Sequence, residues 1–171
     1  MSYAVDFFKY RVFKDPNWDY KQLNFDAHLA LAAKPENQVL DATDPDLSKF
    51  VARGGRLLMY QGWAEPGIPP RNIVNYYGQV QKKTKKADEA VRLFMVPGMG
   101  HCGGGDGAST FDMVAALEAW QSTGQAPETI PASRTRNGAV DRTRPLCAYP
   151  KYAFYKGSGN MDEAGNFECR K

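Results

Sequence analysis

Residues 91–105 are Val91-Arg92-Leu93-Phe94-Met95-Val96-Pro97-Gly98-Met99-Gly100-His101-Cys102-Gly103-Gly104-Gly105, and this stretch decides the fold class of the chain. Its first six residues form an apolar run that predicts a buried strand. Downstream, the segment from Phe111 to Trp120 has the apolar spacing of an amphipathic helix. In sheet enzymes the loop after a strand carries reactive groups, and glycines let such a loop turn and approach a ligand. His101 is therefore a candidate functional residue; the alternative is a loop histidine with only local hydrogen bonds.

Helix and strand signals alternate along residues 44–124. The predicted elements are a helix capped by Asp44 and Pro45 and ended by Gly54-Gly55, a strand from Arg56 to Gln61, a helix from about Pro70 to Lys86, the strand Val91 to Val96, and a helix capped by Ser109 and ended by Gly124. Strands that alternate with helices predict a parallel sheet with helices packed on its faces, which is an α/β fold.

Two of the predicted strands are followed by loops that carry reactive side chains. Glu65 follows the first strand, in Gly62-Trp63-Ala64-Glu65-Pro66, and His101 follows the second. The carboxyl ends of parallel strands lie at one edge of a sheet, where ligand sites form. We therefore expect Glu65 and His101 to meet in space although they are distant in sequence.

An acid followed by a histidine, each after its own strand, is the second half of a hydrolase triad in the order serine, acid, histidine. In such a triad the histidine takes the proton of the serine hydroxyl, and the carboxylate fixes the ring tautomer and stabilises the imidazolium. The sequence has no Gly-x-Ser-x-Gly elbow. Ser158 is interpreted as a turn residue, because no strand precedes it and no helix follows it.

A metal site and a thiol dyad are alternative interpretations that the sequence disfavours. His101, Cys102 and Asp106 make a poor zinc set, because adjacent ligands lack the usual spacing. A thiol dyad of Cys102 with His101 is also disfavoured, since neighbouring side chains diverge. The aspartates between Asp15 and Asp26 lack the glycine and the terminal glutamate of an EF-hand loop, so solvated turns are preferred over calcium. No cofactor is expected.

The composition is that of a globular domain. The 171 residues are 43% hydrophobic and 24% charged, with a net charge of +3. The basic run at residues 82–86 fits the end of a helix, and no basic stripe interleaved with aromatics predicts nucleic-acid binding. No apolar run is long enough to span a membrane, and residues 1–11 lack the apolar core of an export signal. Three cysteines suggest one pair and one orphan, whose partner would lie outside the chain unless the thiol stays free.

The two ends of the chain carry weaker signals. Residues 1–45 are rich in aromatics and are predicted to be irregular, apart from a short helix from Asp26 to Ala33. The part from about Pro127 onward is poor in helix signals, and we expect little regular structure in it.

Several motifs together resemble the tannase/feruloyl esterase family, which includes mono(2-hydroxyethyl) terephthalate hydrolases. The matching segments are the acid loop Gly54 to Pro66, the histidine loop Val96 to Cys102, the C-terminal segments Arg142 to Pro150, Tyr155 to Gly159 and Asn166 to Cys169, and the stretch Val12 to Asp26. The resemblance implies an α/β-hydrolase fold with an inserted lid, and cleavage of aromatic-acid esters through a serine acyl-enzyme.

The resemblance also implies roles for single residues. His101 matches the catalytic base and Glu65 the triad acid, where the family usually has aspartate. Cys102 matches a cysteine that bonds to another beside the nucleophilic serine, so its partner is expected outside this chain. Cys147 and Cys169 match a second family disulfide. We expect residues 1–45 to be the tail of the lid region and residues 46–171 to be the C-terminal part of the catalytic domain.

The resemblance covers the C-terminal portion of such an enzyme only. The nucleophile, most of the lid and its calcium site are expected outside this chain, so the chain alone is expected to be inactive and to be a fragment of a secreted or periplasmic protein. An aromatic ester is the expected partner of the complete enzyme. Self-association of the isolated chain is expected through an uncovered strand edge, through Cys102, or through both. The alternative is a non-catalytic globular remnant or interaction module.

Overall fold

A computed structural model describes residues 2–171. The chain divides into two compact units, with the boundary between Thr43 and Asp44. The assignment of residues 1–45 to a lid stays a prediction. No helix within the described residues has the length and apolar character needed to cross a membrane.

The first unit is built from short helical segments around an aromatic cluster. Its elements are α1 (Ser2–Asp6), a π-helical turn (Phe7–Val12), a 3-10 turn (Tyr20–Gln22), α2 (Phe25–Ala32) and a second 3-10 turn (Gln38–Leu40). Phe8 and Trp18 are buried, and Phe13 stacks on Trp18 with ring centroids 5.0 Å apart. The expected helix at residues 26–33 is present as α2. The remaining segment was predicted to be irregular, which is wrong because aromatic packing organises it into helical turns.

The second unit contains the predicted α/β core. Its elements from residue 44 to residue 124 are α3 (Ser48–Ala52), β1 (Leu57–Gly62), α4 (Arg71–Lys83), α5 (Ala87–Ala90), β2 (Val91–Val96) and α6 (Met113–Thr123). Strands β1 and β2 pair in parallel, in a register from Leu57 opposite Val91 to Gly62 opposite Val96. The predicted α/β class and parallel pairing are confirmed.

Two predicted helix caps are wrong. Helix α3 begins only at Ser48, because the side chain of Asp44 accepts a hydrogen bond from the Asp46 N–H and that of Asp46 accepts one from the Ser48 N–H, each at 3.0 Å. These local turns compete with helix formation. Ser109 does not cap α6; Asp112 does, with its side chain accepting from the Ala115 N–H at 2.8 Å.

The C-terminal part forms strands that the sequence patterns did not predict. They are β3 (Thr129–Arg136), β4 (Ala139–Cys147), β5 (Tyr152–Tyr155) and β6 (Phe167–Arg170), with antiparallel pairing of β3 with β4 and of β5 with β6. A disulfide between Cys147 and Cys169 joins β4 to β6. The expected lack of regular structure is wrong, while the expected disulfide is present.

The core covers both faces of β2. On one face, Phe94 and Val96 pack with Ile130 and Leu146 of the β3–β4 hairpin, and α6 lies against this cluster. On the other face, Val91 packs with residues of α4 and α5. Within residues 2–171, β1 pairs only with β2, so its second edge has no strand neighbour. The carboxyl ends of both parallel strands are held at one edge, where the site lies.

Candidate active site

The acid loop follows β1 directly and is fixed by backbone hydrogen bonds to the histidine loop. The N–H of Trp63 donates to the Val96 carbonyl and the N–H of Ala64 donates to the Met99 carbonyl, each at 3.0 Å. Gly62 makes this approach possible, because a Cβ atom there would lie only 2.0 Å from the Met99 carbonyl oxygen. Gly62 is not among the site residues predicted from the sequence, although a glycine at the last position of a strand signals close backbone approach.

Glu65 is held by its own loop. Its side chain is only 3% exposed, and its Oε1 accepts hydrogen bonds from the N–H groups of Gly67 at 2.6 Å and Ile68 at 3.1 Å. Burial acts to raise the pKa of Glu65, but these two N–H donors and His101 outweigh it, so the pKa lies below its ordinary value. The group is therefore a carboxylate at neutral pH.

His101 meets this carboxylate as the topology predicts. Its Nδ1 lies 2.5 Å from the Glu65 Oε2. The imidazole is 58% exposed, and its Nε2 has no hydrogen-bond partner within residues 2–171. A carboxylate that accepts from Nδ1–H leaves Nε2 unprotonated, which is the tautomer that a general base requires. The pair can accept a proton from a hydroxyl placed against Nε2.

The loop around His101 depends on a second close backbone approach. Gly105 has a φ of +79°, and a Cβ atom there would lie 2.0 Å from the Gly98 carbonyl oxygen. Gly105 lies four residues beyond His101, so this contact closes the loop that carries the imidazole. The histidine is thus placed by backbone packing as well as by Glu65.

The remaining residues that the sequence patterns raised do not contact the pair through hydrogen bonds. Asp106 is 90% exposed at its side chain and pairs with Arg136 at 2.7 Å rather than with His101. Cys102 is an exposed free thiol next to His101. Ser158 lies in the turn between β5 and β6. Across residues 2–171 there is no group of three or more histidine, cysteine, aspartate or glutamate side chains that could hold a metal.

The space directly at the pair is small. A cavity of about 90 Å³ is lined by Tyr60, Gln61, Glu65, Ile68, His101 and Cys102. Ligand sites usually enclose about 300–1,000 Å³. None of the residues lining this cavity is a serine.

Comparison with known proteins finds a matching family and related esterases. The sequence profile of the tannase and feruloyl esterase family matches residues 4–170. An uncharacterized esterase from Xanthomonas campestris is 39% identical, over 97% of this chain and 36% of that protein. Mono(2-hydroxyethyl) terephthalate hydrolase from Piscinibacter sakaiensis is 43% identical, over 75% of this chain and 22% of that protein.

A solved structure matches the whole described fold. Feruloyl esterase B from Aspergillus oryzae superposes with a TM-score of 0.88 at 26% identity, over 99% of this chain and 37% of that chain. This likeness supports the α/β fold derived above. The chain spans about a third or less of the length of these three proteins.

Proposed function

Because this chain belongs to the tannase and feruloyl esterase family, we propose that it supplies the acid and the base of a serine-dependent carboxylic ester hydrolase. His101 is the general base and Glu65 is the acid that orients it. The observation that carries the proposal is the 2.5 Å contact between His101 Nδ1 and a buried carboxylate, with Nε2 left free. Glutamate takes the acid position in some α/β-hydrolase triads.

The proposed reaction has two proton-transfer halves. His101 Nε2 takes the proton of a serine hydroxyl as its oxygen attacks the ester carbonyl, and then gives that proton to the departing alcohol. The acyl group is left on the serine, and a water molecule activated by the same nitrogen releases it as a carboxylic acid. Glu65 stays ionised throughout and stabilises the imidazolium.

The serine is proposed to come from a segment outside residues 2–171. Cys102 supports this arrangement, because an exposed free thiol next to His101 can form a disulfide with a cysteine beside that serine. The names of the relatives support esters of aromatic acids as substrates. The Cys147–Cys169 disulfide supports a secreted or periplasmic location.

The proposal predicts that the 171-residue chain alone hydrolyses p-nitrophenyl butyrate no faster than buffer. It also predicts self-association, because the second edge of β1 has no strand neighbour within the described residues. Light scattering in the presence of reductant, which prevents disulfides through Cys102, tests association through the β1 edge alone. A stable monomer would contradict the predicted association through this edge.

A chimera tests the acid and the base directly. Residues 44–171 replace the matching segment of the Xanthomonas campestris esterase, which is 39% identical. We expect a folded, active esterase whose kcat falls by several powers of ten with His101→Ala, since triad members act as a unit. The matched control is His28→Ala in a second chimera that carries residues 4–170, because His28 is the only other histidine of the chain and lies in the first unit.

The same chimera separates the esterase from a non-catalytic remnant. A chimera that melts cooperatively but has no activity, or that keeps its activity after His101→Ala, would contradict the proposed function. Activity that depends on His101 and not on His28 would exclude the remnant.

A further inference from the structure

A second, larger cavity is lined in part by the acid and histidine loops. Its volume is about 530 Å³, within the range of small-molecule sites. Its walls include Trp63 after β1, Pro97 after β2, and Arg144, Tyr149 and Tyr152 of the C-terminal part. It shares no lining residue with the small cavity at His101, so it is a separate site.

The basic side chains of this cavity differ in their partners. Arg142 pairs with Asp162 at 2.5 Å, and Lys151 pairs with Glu128 at 2.9 Å. Arg144 makes no salt bridge within the described part of the chain. Its Nη1 donates to the backbone carbonyl of Thr143 at 2.8 Å, which leaves most of its donors free.

The Arg144 guanidinium is also in an unfavourable electrostatic position. Burial and the neighbouring Arg142 lower its pKa, and Asp162, which pairs with Arg142, offsets only part of this. Its plane lies over the Phe167 ring, 3.8 Å from the centroid, which fixes its position. A half-buried cation that makes no salt bridge of its own is stabilised by an anion that reaches it.

The rest of the cavity wall favours a flat, apolar ligand body. Trp63 is 44% exposed and Tyr152 is 53% exposed, so two aromatic side chains present accessible surface. The buried side chains of Met95 and Leu146 also line the cavity. Aromatic side chains pair with ligand rings by offset or edge-to-face stacking.

We propose that this cavity binds an aromatic carboxylate, with the carboxylate on the Arg144 guanidinium and the ring among Trp63, Tyr149 and Tyr152. A planar guanidinium suits a carboxylate because it can donate two parallel hydrogen bonds. The binding rests on the cavity itself and does not depend on ester hydrolysis.

The cavity is lined in part by the same two loops that carry the proposed catalytic pair. Trp63 lies two residues before Glu65, and its N–H is bonded to the Val96 carbonyl at the start of the histidine loop. Pro97, in the cavity wall, begins that loop. A bound aromatic acid therefore stabilises the arrangement of both loops. If the proposed function holds, the acid product of the reaction belongs to the same chemical class, and this part of the inference rests on that function.

The binding test uses the 171-residue chain with benzoate, benzamide and acetate as probes. Trp18 and Trp120 are buried, whereas Trp63 is exposed, so benzoate is expected to change tryptophan fluorescence saturably, and Trp63→Phe to abolish the change. Benzamide, which has the ring without the charge, and acetate, which has the charge without the ring, are each expected to bind at least tenfold more weakly. Equal affinity for benzoate and benzamide, or no saturable signal, would overturn the proposal.

Substitution of the arginine provides the second arm. Arg144→Gln is expected to weaken benzoate at least tenfold and to leave benzamide unchanged, whereas Arg136→Gln, on the exposed end of β3, is expected to change neither. If Arg144→Gln does not fold, the relative affinities of the unsubstituted chain for benzoate and benzamide still test whether the cavity recognises the carboxylate. Since binding is measured without turnover, an inactive chimera with normal benzoate binding would contradict only the proposed esterase function.

Discussion

Two regions beside the sheet, the acid and histidine loops and the C-terminal hairpins, are held in place by different interactions. Each region is held in place beside the β1–β2 sheet. The loops are held by two backbone hydrogen bonds, close approaches at glycine and one contact between Glu65 and His101. The hairpins are held by strand pairing and by the Cys147–Cys169 disulfide.

Because the two regions are held by different interactions, we expect one set to affect mainly activity and the other mainly stability. The contacts of the loops place Glu65 and His101 with respect to each other, and loss of the contact between these two side chains is expected to change activity more than stability. The disulfide constrains the tail without touching the reactive groups. Substitutions in the two regions are therefore expected to produce opposite patterns of activity and stability.

The largest effect is expected for Glu65→Gln in the chimera. The glutamine carbonyl can still accept from the N–H groups of Gly67 and Ile68, so the loop keeps its anchor. Its NH₂ group, however, would donate to His101 Nδ1 and favour the wrong tautomer, and kcat is expected to fall by about 10⁴-fold. Steady-state kinetics measure this, with Asp106→Asn as the control that leaves kcat unchanged. Near-normal activity of Glu65→Gln would remove it from the proposed triad.

The next effect is expected in the other region, for Cys169→Ser. Opening a disulfide with a sequence separation of 22 residues is expected to lower the free energy of unfolding on the order of 3 kcal/mol. Urea unfolding of the 171-residue chain measures it, and Cys102→Ser, which removes an unpaired thiol, is the matched control. In the chimera, kcat should stay within about twofold; a large loss of activity would show that the tail positions the site.

Gly62→Ala tests the point where the two loops touch. The added Cβ atom would meet the Met99 carbonyl oxygen, and the forced separation is expected to cost about 1–3 kcal/mol of stability and to lower kcat as well. Gly78→Ala in α4 meets nothing within 4 Å and is expected to stabilise the chain by about 0.5–1 kcal/mol. Urea unfolding of both variants provides the comparison. Equal stabilities would show that the loops can separate freely.

The smallest effect is the contribution of Glu65 ionisation to stability. Because the folded chain lowers the pKa of Glu65, the unfolded chain binds its proton more readily. The stabilisation is thus fully present at pH values above the pKa of Glu65 in the unfolded chain. It is lost as the pH falls through the lower pKa of Glu65 in the folded chain. Thermal melting from about pH 6 to about pH 3 should show the original chain losing Tm faster than Glu65→Gln. Parallel curves would contradict the lowered pKa.

The sequence predicts the centre of this molecule well because its signals there are local and strong. The apolar run from Val91 to Val96 marks β2, and the rule that parallel strands end at one edge brings Glu65 and His101 together. The helix starts near Asp44 and Ser109 were misplaced because capping residues also form turns that compete with helices.

The C-terminal strands and the larger cavity could not be predicted for a different reason. Strand β4 carries arginines on its partly buried positions, so its pattern lacks the apolar alternation of a strand. Arg144 gains its significance only when Trp63 and Tyr152, far apart in sequence, come to line the same cavity. Close approaches such as that of Gly62 to Met99 likewise exist only in the folded chain.

The boundary between Thr43 and Asp44 has a consequence for how such genes can be recombined. Both Glu65 and His101 lie on the same side of it, within one compact unit. A crossover at this boundary transfers the two groups together and keeps the contact between the Glu65 carboxylate and the His101 imidazole. Shuffled libraries with a junction there should therefore retain more acid–base pairs than libraries with junctions between residues 66 and 100.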